Sequence, residues 1–132
     1  GSEAVIFATG RMVEIAKEAA ERLETMGLSC GVVNARWIKP VDPRMVEWAR
    51  GVGTVVTVED NVGAGGFGGA VLESLAPHGL AGKVRTIALP DQFLPHGKAS
   101  DILREHGLDA AGVAKSVYVA VRGAVPSEEK KP

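Results

Sequence analysis

Cysteine is almost missing from this sequence: Cys30 is the one thiol in 132 residues. A single thiol excludes an internal disulfide, and such sparse use fits a reducing compartment, so a cytoplasmic location is expected. Nothing adjacent to Cys30 would lower its pKa, so it reads as a core filler rather than a reactive group. Aromatic residues are few, three Phe, two Trp and one Tyr. Trp37 and Trp48 read as packing residues rather than a stacking platform for a ligand. No sign of charge dominates: fifteen basic residues face sixteen acidic ones, for a net charge of −1. With no basic stripe or arginine-rich run, no nucleic-acid partner is expected. No apolar run approaches the roughly 18 residues of a membrane-spanning helix, so no membrane partner is expected, and no signal-peptide pattern is visible. The three histidines, His78, His96 and His106, stand apart without paired ligand spacing, which argues against a metal site. No serine sits in a nucleophile-elbow motif.

What the chain does contain is an alternation of short apolar runs with helical patterns. Ala4-Val5-Ile6-Phe7-Ala8 is continuous and apolar, as suits a strand buried on both faces. Met12, Ile15, Ala16, Ala19, Leu23 and Met26 then recur at three and four, an amphipathic helix that Gly27 ends in a left-handed cap. Ser29 to Val33 is a second strand. Asp42-Pro43 reads as an N-cap followed by proline at the first helical position, opening a short helix to about Arg50. Thr54 to Val58 is the third strand and Lys83 to Leu89 the fourth. A helix from Ala70 to about Ala76 lies between them, stopped by Pro77-His78-Gly79. Pro90 to Gly97 is an irregular loop. Ser100 caps a helix carrying Ile102 and Leu103 that ends at Gly107, and a last helix runs from about Ala110 to Arg122. Residues 3–122 form one domain with no internal repeat. Residues 123–132 are a polar tail expected to be disordered. Gly1-Ser2 reads as a cloning scar, and the chain as a piece of something longer.

Repeated strand–helix alternation predicts an α/β domain of three layers, with a mainly parallel sheet covered on both faces. The expected strand order is second, first, third, fourth. In such sheets a ligand crevice lies at the carboxyl ends of the strands where the order reverses, here between the first and third strands beside Gly10 and Asn61. Gly10, Arg11, Glu59, Asp60 and Asn61 are the residues available there.

The stretch at that point is Val58-Glu59-Asp60-Asn61-Val62-Gly63-Ala64-Gly65-Gly66-Phe67-Gly68-Gly69, with five glycines in seven residues. Two readings stay open. Gly63, Gly65 and Gly68 match G-x-G-x-x-G, and free N–H groups at the start of the next helix suit an anion. Alternatively, the glycines let that helix pack tightly on its strand. Glu59 and Asp60 are adjacent, so on a strand they point oppositely and make a poor acid/base dyad. Glu59 is expected to cap or to pair with Arg36, and Asp60 to be solvated. His96, in its loop, is either a partner contact or a plain loop residue. The candidate interdomain or anion-contact set is therefore Glu59, Asp60, Asn61, Gly63, Gly65, Gly66, Gly68 and His96.

Four phrases, in order, carry a family resemblance. Asn34-Ala35-Arg36-Trp37-Ile38-Lys39-Pro40-Val41-Asp42 is the first. Val58-Glu59-Asp60-Asn61 followed by Gly65-Gly66-x-Gly68 is the second. The third is Leu89-Pro90-Asp91-Gln92-Phe93-Leu94-Pro95-His96-Gly97, and Leu103 with Gly107-Leu108-Asp109 closes the series. Together, over about Glu3 to Arg122, they resemble the C-terminal, transketolase-type domain of the 1-deoxy-D-xylulose-5-phosphate synthase family. The resemblance implies a longer enzyme that condenses pyruvate with glyceraldehyde 3-phosphate and releases carbon dioxide, feeding isoprenoid and thiamine synthesis. It implies thiamine diphosphate and Mg²⁺ in that enzyme, held by domains other than this one. It therefore implies no catalytic, cofactor-binding or metal residue here, and a fragment that is inactive alone. The partners it implies are the remaining domains of the same enzyme and a second copy in a homodimer. It also implies a fifth, antiparallel strand just upstream of Glu3. The alternatives are the partner-docking C-terminal domain of a 2-oxoacid dehydrogenase β subunit and a small-molecule binding module.

Overall fold

The computed structural model describes residues 3–10, 12–35, 43–62, 66–89 and 109–123, with the backbone alone at 60–62 and 88–89. The centre of the fold is β1 (Ala4–Ala8), every residue of which is buried. It pairs in parallel with β2 (Cys30–Asn34) on one side and with β3 (Thr54–Val62) on the other. β3 in turn pairs in parallel with β4 (Val84–Leu89). The order is β2-β1-β3-β4, as expected, and the reversal lies between β1 and β3.

Side chains of a strand alternate between faces, so one continuous apolar run feeds two cores. Ala4, Ile6 and Ala8 of β1 join Val56 and Val58 under α1 (Met12–Thr25) and α4 (Ala110–Arg122). Val5 and Phe7 join Val55 under α2 (Arg44–Arg50) and α3 (Phe67–Leu75). Ile6 and Phe7 are fully buried, each favouring the fold by about 1.5–3 kcal/mol relative to exposure. α1 lays Met12, Ala16, Ala19 and Leu23 on the sheet, and its chain turns out at Gly27 with φ +83°. The small residues Ala16 and Ala19 on α1 and Ala114 on α4 belong to the same buried cluster, where the two helices pack side by side.

Local chemistry closes the helix ends. Asp109 accepts the Gly112 N–H at 2.9 Å and caps α4. Lys83 donates its Nζ to the carbonyls of Ala49 and Val52, at 3.1 and 2.8 Å, which places a cation at the carboxyl end of α2. Trp48 packs its ring 6.2 Å from that of Phe7, with the Arg44 guanidinium 5.6 Å from the Trp48 centroid. It is a packing residue, as expected. No described helix is long and apolar enough to cross a membrane.

Several boundaries differ from the sequence reading; β2 and β4 each begin one residue later, at Cys30 and Val84. β3 does not stop at Val58 but runs on to Val62, with a register irregularity against β4 between Val58 and Val62. Glu59, Asp60 and Asn61, which follow the strand as read from sequence, are therefore part of it. α3 begins at Phe67 rather than Ala70, so Gly68 and Gly69 are its first turn rather than loop. α2 starts at Arg44, with Pro43 in the N-cap place and no side-chain cap. Asp42, expected to cap it, lies outside the described residues. So do Gly1-Ser2, Arg36, Trp37, the loop 90–97, the helix read from Ser100 to Gly107, and the tail from 124.

Candidate functional site

The alternation along β3 sends Val55, Thr57 and Glu59 toward α3 and sends Val56 and Val58 to the opposite face. Glu59 is fully buried. Its carboxylate accepts the backbone N–H of Phe67 at 2.7 Å and that of Gly68 at 3.2 Å. α3 has Gly66 at its N-cap, which offers no side-chain acceptor. Glu59 does that work from within the neighbouring strand. A carboxylate at a helix N-terminus is favoured by the helix dipole, and charge-assisted bonds of this kind are the stronger ones. This is what makes burial of a charged group tolerable here.

The second feature is a close approach. A Cβ built on Gly68 would stand 2.7 Å from Thr86 Cγ2 and 3.0 Å from both Thr57 Oγ1 and Thr86 Oγ1. Only a residue without a side chain lets the first turn of α3 sit this low over β3 and β4. Thr57 is fully buried, and its hydroxyl has no hydrogen-bond partner among the described residues. Gly69, one residue on, faces open space. At Gly68 the close approach fits the tight-packing reading; at Gly69 it does not apply.

Of the candidate residues, the structure brings Glu59, Gly66 and Gly68 together at the start of α3. Asp60 and Asn61 continue β3 beyond Glu59. Gly63, Gly65, His96, Arg11 and Arg36 lie outside the described residues. Gly10, at the carboxyl end of β1, is exposed with φ +57°, and its carbonyl accepts the Val13 N–H. The expectation that Glu59 caps is met. Two of the first amides of α3, which the anion reading would use, are spent on its carboxylate. Among the described residues no three His, Cys, Asp or Glu side chains converge as metal ligands.

At the opposite end of the sheet, a contact that the sequence reading missed joins the approach to β1 to the end of α4. Arg122, closing α4, donates to Glu3 and, at 3.1 Å, to the Gly27 carbonyl. The Ser29 N–H donates to the other Glu3 oxygen at 3.0 Å. The Arg122 hydrogen bond, then that from Ser29, holds the Glu3 carboxyl below the usual glutamate range. The partners lie 119 positions apart, so no local pattern announces them. The Asp109 cap was missed too, although an Asp just before a helical pattern is a signal for one. Burial pushes the Cys30 thiol up to about 11.

Residues 1–113 match the family described as transketolase, C-terminal domain. The chain belongs to that family. This transketolase C-terminal domain is 47% identical over 116 residues to the 1-deoxy-D-xylulose-5-phosphate synthase of Heliobacterium modesticaldum, covering 87% of this chain and 18% of that protein. It is 49% identical over 118 residues to the enzyme of the same name from Syntrophotalea carbinolica, covering 89% and 19%. Against the Aquifex aeolicus synthase it is 46% identical over 125 residues, covering 93% and 20%. The domain thus spans about a fifth of the length of these curated relatives. Among solved structures it is similar to one titled "Split gene transketolase, inactive beta4 tetramer". The TM-score is 0.84 at 34% identity, over 92% of this chain and 40% of that one.

Proposed function

We propose that this transketolase C-terminal domain is the accessory, dimer-supporting domain of a cytoplasmic, thiamine-diphosphate-dependent 1-deoxy-D-xylulose-5-phosphate synthase, and that it performs no chemistry alone. The observation that carries the reading is the near-complete alignment of the chain, at 46–49% identity, with proteins of that name of which it makes up only a fifth. In the longer enzyme, thiamine diphosphate with Mg²⁺ would supply the carbanion chemistry on pyruvate.

The described residues do not fit that cofactor, which supports placing it in other domains. A diphosphate brought to the N-terminus of α3 would meet the Glu59 carboxylate, already seated on the Phe67 and Gly68 amides. The role left to this domain is that of a rigid body. A parallel sheet buried on both faces, with its β3–α3 junction clamped by Glu59, offers a fixed surface to the remaining domains and to a second subunit. The candidate contacts with them are Asp60, Asn61 and the glycine run at the carboxyl end of the sheet, together with His96.

Two measurements test this. Calorimetric titration of the chain with thiamine diphosphate and Mg²⁺ is expected to show no saturable heat. The longer gene product is expected to convert pyruvate and glyceraldehyde 3-phosphate to 1-deoxy-D-xylulose 5-phosphate with release of carbon dioxide. Micromolar cofactor binding by the chain, or a longer product that forms no pentulose phosphate, would overturn the reading.

A further inference from the structure

We draw no further inference here: the strongest candidate, the open groove between β4 and α4 floored by Val56 and Ile87 and edged by Arg85, Ser116 and Val119, carries none because nothing in the structure shows what covers it.

Discussion

The carboxylate of Glu59, on β3, accepts the backbone N–H of Phe67, the first residue of α3, at 2.7 Å. A strand residue thereby serves as the cap of a helix that has no side-chain cap at its own N-terminus. The β3–α3 junction is held from both ends by one buried side chain.

Removing that carboxylate strands two amides at a buried helix end. Glu59→Ala is expected to destabilise the domain by about 2–4 kcal/mol. Glu59→Gln keeps one carbonyl acceptor but turns an amide donor toward the other N–H, and is expected to cost roughly half as much. Urea unfolding monitored by far-ultraviolet circular dichroism reads both. An alanine variant within error of the wild type would show that the clamp contributes nothing to stability.

Neighbouring glycines in one helical turn should respond with opposite signs. Gly68→Ala pushes a Cβ into Thr86 and Thr57 and is expected to cost about 1–3 kcal/mol, with Gly68→Val costing more. Gly69→Ala meets no atom within 4 Å and should gain about 0.5–1 kcal/mol from the better helix former. Because the nearest clash is with Thr86 Cγ2, Thr86→Ser should recover part of the Gly68→Ala loss in a double-mutant cycle. Equal melting temperatures for the Gly68 and Gly69 variants would refute the close approach. If Gly68→Val left the melting temperature unchanged yet abolished binding of a phosphorylated ligand, the loop would be a binding element instead.

The Glu3–Arg122 contact carries a pH signature. Its carboxyl titrates lower in the folded chain than in the unfolded one. The stabilisation is therefore fully present above the unfolded glutamate value, about 4.3, and is lost as the pH falls through the lowered folded value. Thermal melts of wild type and Glu3→Gln are expected to differ at pH 7 and to converge on acidification toward pH 3. Both partners are partly exposed, so added salt should narrow the gap at pH 7. A gap that stayed constant with pH would mean that the charge of Glu3 is irrelevant to the contact.

Cys30 should be a poor nucleophile while the domain is folded. With its thiol pushed up to about 11, the thiolate fraction at pH 8 is small. Labelling by an aromatic disulfide reagent is expected to run more than about a hundredfold slower than in denaturant. Native labelling within about threefold of the denatured rate would contradict the burial that sets this value.

The element order and the bounds of α4 were legible because they rest on short-range signals. Continuous apolar runs mark doubly buried strands, three-and-four spacing marks helices, and Gly27 and Gly79 sit where the left-handed turns occur. The parallel connections then leave few topologies open. The glycine run was ambiguous by itself, because an anion cradle and a close helix–strand contact call for the same residue type. Thr86, 18 positions after Gly68, accounts for a glycine at that residue by close contact. No spacing rule links the two.

The sequence by itself therefore determined the layers and the family of this domain, written in periodicity and in contiguous motifs. Only the tertiary structure decided what Glu59 does. The sequence leaves it between a cap and a pair with Arg36; β3 continues past Val58, and alternation turns the side chain inward onto the start of α3. The amides of Phe67 and Gly68, which the glycine motif would have offered to an anion, are met by the chain's own carboxylate. Glu3 and Arg122 likewise meet only because β1 and α4 pack into one core. Such contacts depend on where whole elements come to rest, and local pattern carries no record of that.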